Sequence, residues 1–169
     1  SIGKQPQVTG VVRPDERGAM DTGDIVEDFT LPDETGTPRR LSELLEGGPV
    51  VLFFYPAALT AGCTKESCHF RDLQGELAAL GARPVGISAD PVDKQRQFAD
   101  KHTFGYPLLS DADKQVAGML GVGRGLLGLS PLKRTTFVID TDRRILARIA
   151  SEFKMHTHAD EALAVLRAR

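Results

Sequence analysis

Residues 50–68 read VVLFFYPAALTAGCTKESC. The first six, Val50 to Tyr55, form an unbroken apolar run rich in β-branched and aromatic side chains. A run this short predicts a strand buried on both faces. Pro56 stops it. From Cys63 to Leu80 the period changes. Phe70, Leu73, Leu77 and Leu80 fall three and four apart and make one apolar stripe of a helix, with Gly81 as its C-cap. The chain thus passes from a buried strand into a helix, and Cys63 falls in that helix's first turn.

Outward from this core the same alternation continues. Val26 to Leu31 reads as a strand, and Leu41 to Leu45 as a short helix begun near Ser42 and ended by Gly47 and Gly48. Pro84 to Ala89 reads as a second apolar strand. Asp90 is expected to cap a helix that has Pro91 at its first position and Phe98 facing inward. Tyr106 to Leu109 is a further short strand, and Asp111 to Leu120 a helix closed by Gly121. Thr135 to Ile139 and Arg144 to Ile149 flank Thr141 and Asp142 as a hairpin. Asp160 to Arg167 is a terminal helix with Leu163 and Leu166 inward. This order predicts an α/β protein with a mixed sheet flanked by helices.

The chain has 169 residues, 41% hydrophobic and 26% charged, with a net charge of -2. That suits one domain with a sizeable core. Clustered Lys and Arg, the mark of a nucleic-acid surface, are missing. No stretch approaches the roughly 18 apolar residues of a membrane span. Residues 1–19 are rich in Gly, Pro, Gln and charge, with no helix or strand period and no apolar signal segment. Met20 is read as the native start of a single domain over 20–169. Residues 1–19 are then either a remnant of expression or a disordered extension. A cytoplasmic location is the default.

There are two cysteines, Cys63 and Cys68. So few, so close, read as chemistry rather than as a staple. At a helix start the free N–H groups and the positive dipole end favour a thiolate. An unperturbed thiol, with a pKa of about 8.5, is mostly protonated at pH 7; helix N-termini and nearby arginines bring thiols down to roughly 3.5–7.5. Cys63 also lies about 20° from Phe70 on an ideal helix, so packing alone would place it partly in the core. Residues five apart on a helix have Cα atoms roughly 8–9 Å apart. A disulfide needs about 4.4–6.8 Å. If these two cysteines bond, the first helical turns must unwind.

The spacing Pro56, Thr60, Cys63 resembles the signature of the peroxiredoxins, of the peroxiredoxin Q or bacterioferritin-comigratory-protein type. Thr64, Glu66, Cys68, Phe70, Arg71 and Asp72 match that branch as well, and the stretch from Arg134 through Phe137 to Asp140 resembles its strand with the catalytic arginine. The resemblance covers about residues 20–169. It departs at Ala61, where the branch often has Pro, and at Ala57 and Ala58, which replace a commonly polar pair.

The resemblance implies a thioredoxin-like fold and a set of roles. Cys63 would attack the peroxide and become a sulfenic acid, and Cys68 would condense with it to a disulfide. A dithiol such as thioredoxin would reduce that bond. Thr60 would hydrogen-bond the thiolate and the peroxide. Arg134 would stabilise charge as the O–O bond breaks. Pro56 would shield Cys63 from water, and the N–H groups of Gly62 and Cys63 would hold a peroxide oxygen. Glu66 would orient Arg134 or stand as a solvated carboxylate. Thr60 also fits an N-cap, Arg134 a surface arginine beside Lys133, and Pro56 a strand terminator. No cofactor is expected, because sulfur does the redox chemistry. A monomer is expected, since this branch often resolves within one chain.

Two other readings use the same residues. One is a thiol-disulfide redox sensor without peroxidase turnover. The other is a metal site built from Cys63, Cys68, His69, His156 and His158, although zinc sites usually pair cysteines two to four apart. The apolar loop at Leu126, Leu127, Gly128 and Leu129 is read as packing, with pocket lining or partner contact as alternatives.

Overall fold

The computed structural model describes residues 19–123, 132–151 and 154–169. In chain order the strands and helices begin with β1 (Thr30–Pro32), β2 (Pro38–Arg40) and α1 (Leu41–Leu44), which a tight turn at Leu45–Gly47 extends. Next come β3 (Val50–Phe54), α2 (Ala61–Asp72), α3 (Gln74–Ala79), β4 (Arg83–Ser88) and α4 (Val92–His102). The described remainder is β5 (Leu108–Ser110), α5 (Gln115–Met119), β6 (Thr135–Ile139), β7 (Ile145–Ala150) and α6 (Met155–Arg167). Most of residues 1–19, and the apolar loop at 126–129, lie outside the described residues.

Five strands form one mixed sheet in the order β5-β4-β3-β6-β7. β3 is central. It runs parallel to β4 and antiparallel to β6, and every residue of it is buried. Alternation along β3 divides the interior. Val50, Leu52 and Phe54 join the N-terminal segment, α1 and α5 on one face. Val51, Phe53 and Tyr55 join α2, α3, α4 and α6 on the other. On that second face Phe53 stacks on Phe70 of α2, with ring centroids 4.2 Å apart and planes at 15°. Helices on both faces explain why β3 reads as a continuous apolar run.

Several elements differ from expectation. The segment at 26–31 is not one strand: Ile25 makes an isolated bridge to Arg144, and β1 starts at Thr30. Val26, Phe29 and Leu31 bury their side chains on one side at uneven spacing, which a regular strand does not permit. The helix expected over 63–80 is two helices. It breaks at Leu73, whose ψ of 3° leaves the helical region, although Phe70 and Leu77 stay fully buried. Gly81 closes the pair with φ +75°.

Asp90 does not cap α4. Pro91 holds the capping position, and the Asp90 carboxylate turns back to accept 2.7 Å hydrogen bonds from the Ala58 amide and the Ser88 hydroxyl. The helix expected over 111–120 shrinks to α5. Asp111 accepts from the amides of Val116 and Ala117 at 3.2 and 2.9 Å, so its carboxylate occupies the helix start from outside. The short strand expected from Tyr106 begins two residues later, at Leu108. The terminal helix begins five residues earlier than expected, at Met155.

Candidate active site

The segment 55–60 carries the chain from the end of β3 to the start of α2. Its position is set from the side: the Ala58 amide is held by Asp90, at the end of β4. Leu59 takes φ +67° and stays partly exposed. Thr60 then occupies the capping position of α2, but no side chain caps this helix. The first-turn amides, Gly62 and Cys63 among them, therefore face outward without an intrahelical acceptor.

Cys63 is the third residue of α2 and 1% exposed, against the aromatic face of the sheet. Arg134, immediately before β6, reaches it. Its Nη2 donates to Cys63 Sγ at 3.3 Å, and its Nη1 donates to Glu66 Oε1 at 3.0 Å. Arg134 is 5% exposed and Glu66 fully buried. One guanidinium thus spans a sulfur and a carboxylate placed one helical turn apart, a geometry for which its planar fork is suited. Burial works against the charge on Arg134, but Glu66 and then Cys63 outweigh it and raise its pKa. The cation is permanent.

Glu66 has a second neighbour. Its Oε2 lies 3.7 Å from Nε2 of His158, on α6. His158 Nε2 is also 2.8 Å from the Ser151 carbonyl, and its Nδ1 is 2.8 Å from the Thr136 hydroxyl. A carbonyl only accepts, so Nε2 carries a proton, and in the neutral ring Nδ1 accepts from the Thr136 hydroxyl. Burial, with Arg134 adding to it, lowers its pKa to about 4, against the pull of the Ser151 hydrogen bond.

The structure thus brings Cys63, Gly62, Glu66 and Arg134 together. A methyl built on Gly62 would lie 3.0 Å from Met155 Cε and 3.4 Å from Arg134 Nη2. Pro56 is half-buried where β3 ends. Thr60 is nearby, but its single hydroxyl proton goes to the Ala57 carbonyl at 2.8 Å rather than to the sulfur. Cys68 points elsewhere, with its Sγ 4.0 Å from His102 Nδ1. Both cysteines are free thiols.

The chain matches the family model for the AhpC/TSA family over residues 22–148. It belongs to that family. This peroxiredoxin is similar to the crystal structure of peroxidoxin BcpB from Mycobacterium tuberculosis, with 67% identity and a TM-score of 0.83 over 88% of this chain and 97% of that one. It is 39% identical to the chloroplastic peroxiredoxin Q of Sedum lineare over 83% of this chain and 74% of that protein. It is 36% identical to peroxiredoxin Bcp of Escherichia coli K12 over 85% of this chain and 94% of that protein. The sheet and its flanking helices are the thioredoxin-like fold of this family, and the chain is a thiol peroxidase of the Bcp and peroxiredoxin Q type.

Sequence reasoning missed three contributors to the peroxiredoxin site. The spacing of His158 and His156, which suggests metal donors, gives no sign of Glu66. His69, from the same reading, instead faces Asp160 at 2.9 Å. Met155 lies inside the terminal helix rather than before it. Asp90 supports the segment ahead of Cys63 through Ala58 rather than the helix after Pro91. Among the described residues, no group of three or more His, Cys, Asp or Glu side chains is placed to hold a metal ion. No helix among them is long and apolar enough to cross a membrane.

Proposed function

We propose that this peroxiredoxin reduces hydrogen peroxide and organic hydroperoxides through Cys63, resolves within the chain through Cys68, and is recycled by thioredoxin. The observation that carries the reading is the 3.3 Å hydrogen bond from Arg134 Nη2 to Cys63 Sγ at an uncapped helix start. The thiolate is the attacking species, and a fixed cation beside the sulfur favours it. The same cation lies where negative charge passes to oxygen.

The sulfur attacks one peroxide oxygen and the O–O bond breaks. Cys63 becomes a sulfenic acid, and the departing oxygen takes a proton to leave as water or an alcohol. The Gly62 and Cys63 amides, the Thr60 oxygen and Arg134 are the groups assigned to hold the peroxide. Pro56 limits water at the sulfur. Glu66 holds Arg134 in place. The Cys68 thiol then condenses with the sulfenic acid, forming the S–S bond and releasing water. Two exchanges with a dithiol restore both thiols. A monomeric single domain over residues 20–169, acting in the cytoplasm, suits resolution within one chain.

The test is peroxide consumption coupled to thioredoxin, thioredoxin reductase and NADPH. Cys63→Ser is expected to abolish turnover. Cys68→Ser is expected to form one sulfenic acid per chain and then stop cycling. Full activity in Cys63→Ser would overturn the assignment.

A further inference from the structure

Cys68 lies midway along α2, remote from the helix start. Arg134 donates to Cys63 and Glu66. The nucleophile in disulfide formation is the thiolate, so resolution through Cys68 needs an acceptor for its thiol proton. The neighbour it does have is His102, whose Nδ1 is 4.0 Å from Sγ.

The His102 ring is held firmly. It ends α4, stacks on Phe104 at 5.5 Å and 26°, and meets Phe98 edge-on at 5.5 Å and 84°. Its carbonyl accepts from Arg71 Nη1, on α2, at 2.9 Å, and the Gln74 side chain of α3 donates to the adjoining Phe104 carbonyl. The helix that carries Cys68 is thereby tied to the segment that carries the imidazole. The charged neighbours of the ring are Lys101, on its own helix, and Arg71. Tyr106, whose hydroxyl donates to the Ser67 carbonyl, is the other titratable group on this face. Burial, then Lys101 and Arg71, lower the pKa of His102. The imidazole is therefore neutral at physiological pH, with Nδ1 able to accept a proton.

We infer that His102 is the general base of the resolving step, taking the Cys68 thiol proton through Nδ1 so that the sulfur can attack the oxidised Cys63. This rests on the resolving role proposed above for Cys68. The balance closes without any further reagent. The S–S bond forms and the Cys63 S–O bond breaks. The departing hydroxide recovers a proton and leaves as water, and His102 ends neutral. The contact exists while α2 is helical, so the proton leaves before the helix start unwinds. Placing the proton acceptor beside the second sulfur also keeps it away from the first, which Arg134 faces.

The experiment uses the full chain with His102→Phe, which keeps a ring on Phe98 and Phe104 and removes both nitrogens. Reduced protein is mixed with one equivalent of hydrogen peroxide and quenched in acid. Sulfenic acid and disulfide are then counted by mass spectrometry. Oxidation of Cys63, which His102 does not touch, is the internal control. Conversion of sulfenic acid to disulfide is expected to slow about tenfold or more at pH 7, approaching a ceiling of roughly thirtyfold set by the ionised fraction of an unaided thiol. The gap is expected to close above about pH 9, where solvent ionises the thiol directly. In the unmodified chain the resolving rate should fall as acid protonates the imidazole, which supplies a test that needs no variant. Equal resolving rates at pH 7, or a loss of the same size at every pH, would overturn the assignment of His102. Failure of the unmodified chain to form any Cys63–Cys68 bond would overturn the resolving role of Cys68 as well.

Discussion

Nε2 of His158 lies 3.7 Å from Oε2 of Glu66, and neither side chain has any exposed surface. The Thr136 and Ser151 hydrogen bonds fix the neutral tautomer. The imidazole is thus a neutral wedge between α6 and the Glu66–Arg134 pair.

Its titration should show in the stability of the protein. Unfolded, His158 takes a proton near its ordinary pKa of 6.5; folded, it resists until about 4. Between those values the unfolded chain binds more protons, so folding weakens as pH falls. The contribution is fully present above about pH 6.5 and lost by about pH 4, on the order of 3 kcal/mol in all. Urea unfolding at pH 7 and pH 4.5 measures it. His158→Asn should lose less stability over that interval than the parent. His102 shifts in the same direction but is common to both proteins. An equal loss in parent and variant would contradict the prediction.

Arg134→Lys should lower the second-order rate with hydrogen peroxide by about a hundredfold or more, because an ammonium is a point charge and cannot fork between Sγ and Oε1. Glu66→Gln should reduce the rate less. It keeps an oxygen for Arg134, but leaves a buried cation without its counter-charge, so stability should drop; complete loss of a buried partner costs about 3–5 kcal/mol. Stopped-flow peroxide kinetics and denaturant melts of both variants separate the two effects. A Lys variant as fast as the parent would contradict the role of the guanidinium.

Gly62→Ala is compatible with a helical backbone, and in isolation Ala favours a helix by about 1 kcal/mol. The added methyl nevertheless meets Met155 and Arg134 Nη2. The Met155 terminus can move aside; the guanidinium cannot move without leaving the sulfur. The variant should keep its stability within about 1 kcal/mol of the parent and lose on the order of tenfold in peroxide rate, since small displacements of catalytic groups are costly. Thermal melts beside stopped-flow rates check both halves.

Oxidised protein should contain less helix than reduced protein. Cys63 and Cys68 both lie within α2, Ala61–Asp72. Five residues of helix hold Cα atoms beyond disulfide reach, at roughly 8–9 Å. Circular dichroism before and after one equivalent of peroxide should show the loss, and reduction should restore it. Equal helicity in the two states would contradict it.

Local patterning made the frame legible. The apolar run at 50–55 marked the central strand, and the change of period after Pro56 placed Cys63 in a first helical turn. Arg134 could be found because its neighbours form a buried strand. What stayed hidden depends on contacts between distant segments. Glu66 and His158 are 92 positions apart, and nothing in either local pattern shows that α6 crosses α2. Asp90 has a good cap sequence before Pro91, but Ala58 and Ser88 compete for its carboxylate and win. The helix break at Leu73 was hidden for the opposite reason: its apolar spacing continues across the break, so periodicity alone sees one helix.

The stack of Phe70 on Phe53 lies two residues beyond Cys68. It ties the distal half of α2 to the central strand. If the helix start unwinds to let Cys63 and Cys68 bond, the rearrangement is expected to stop short of Phe70, within about two to three turns. Cys63 would leave the apolar cluster it helps to fill, while the rest of that face stays covered and little sticky surface reaches neighbouring molecules.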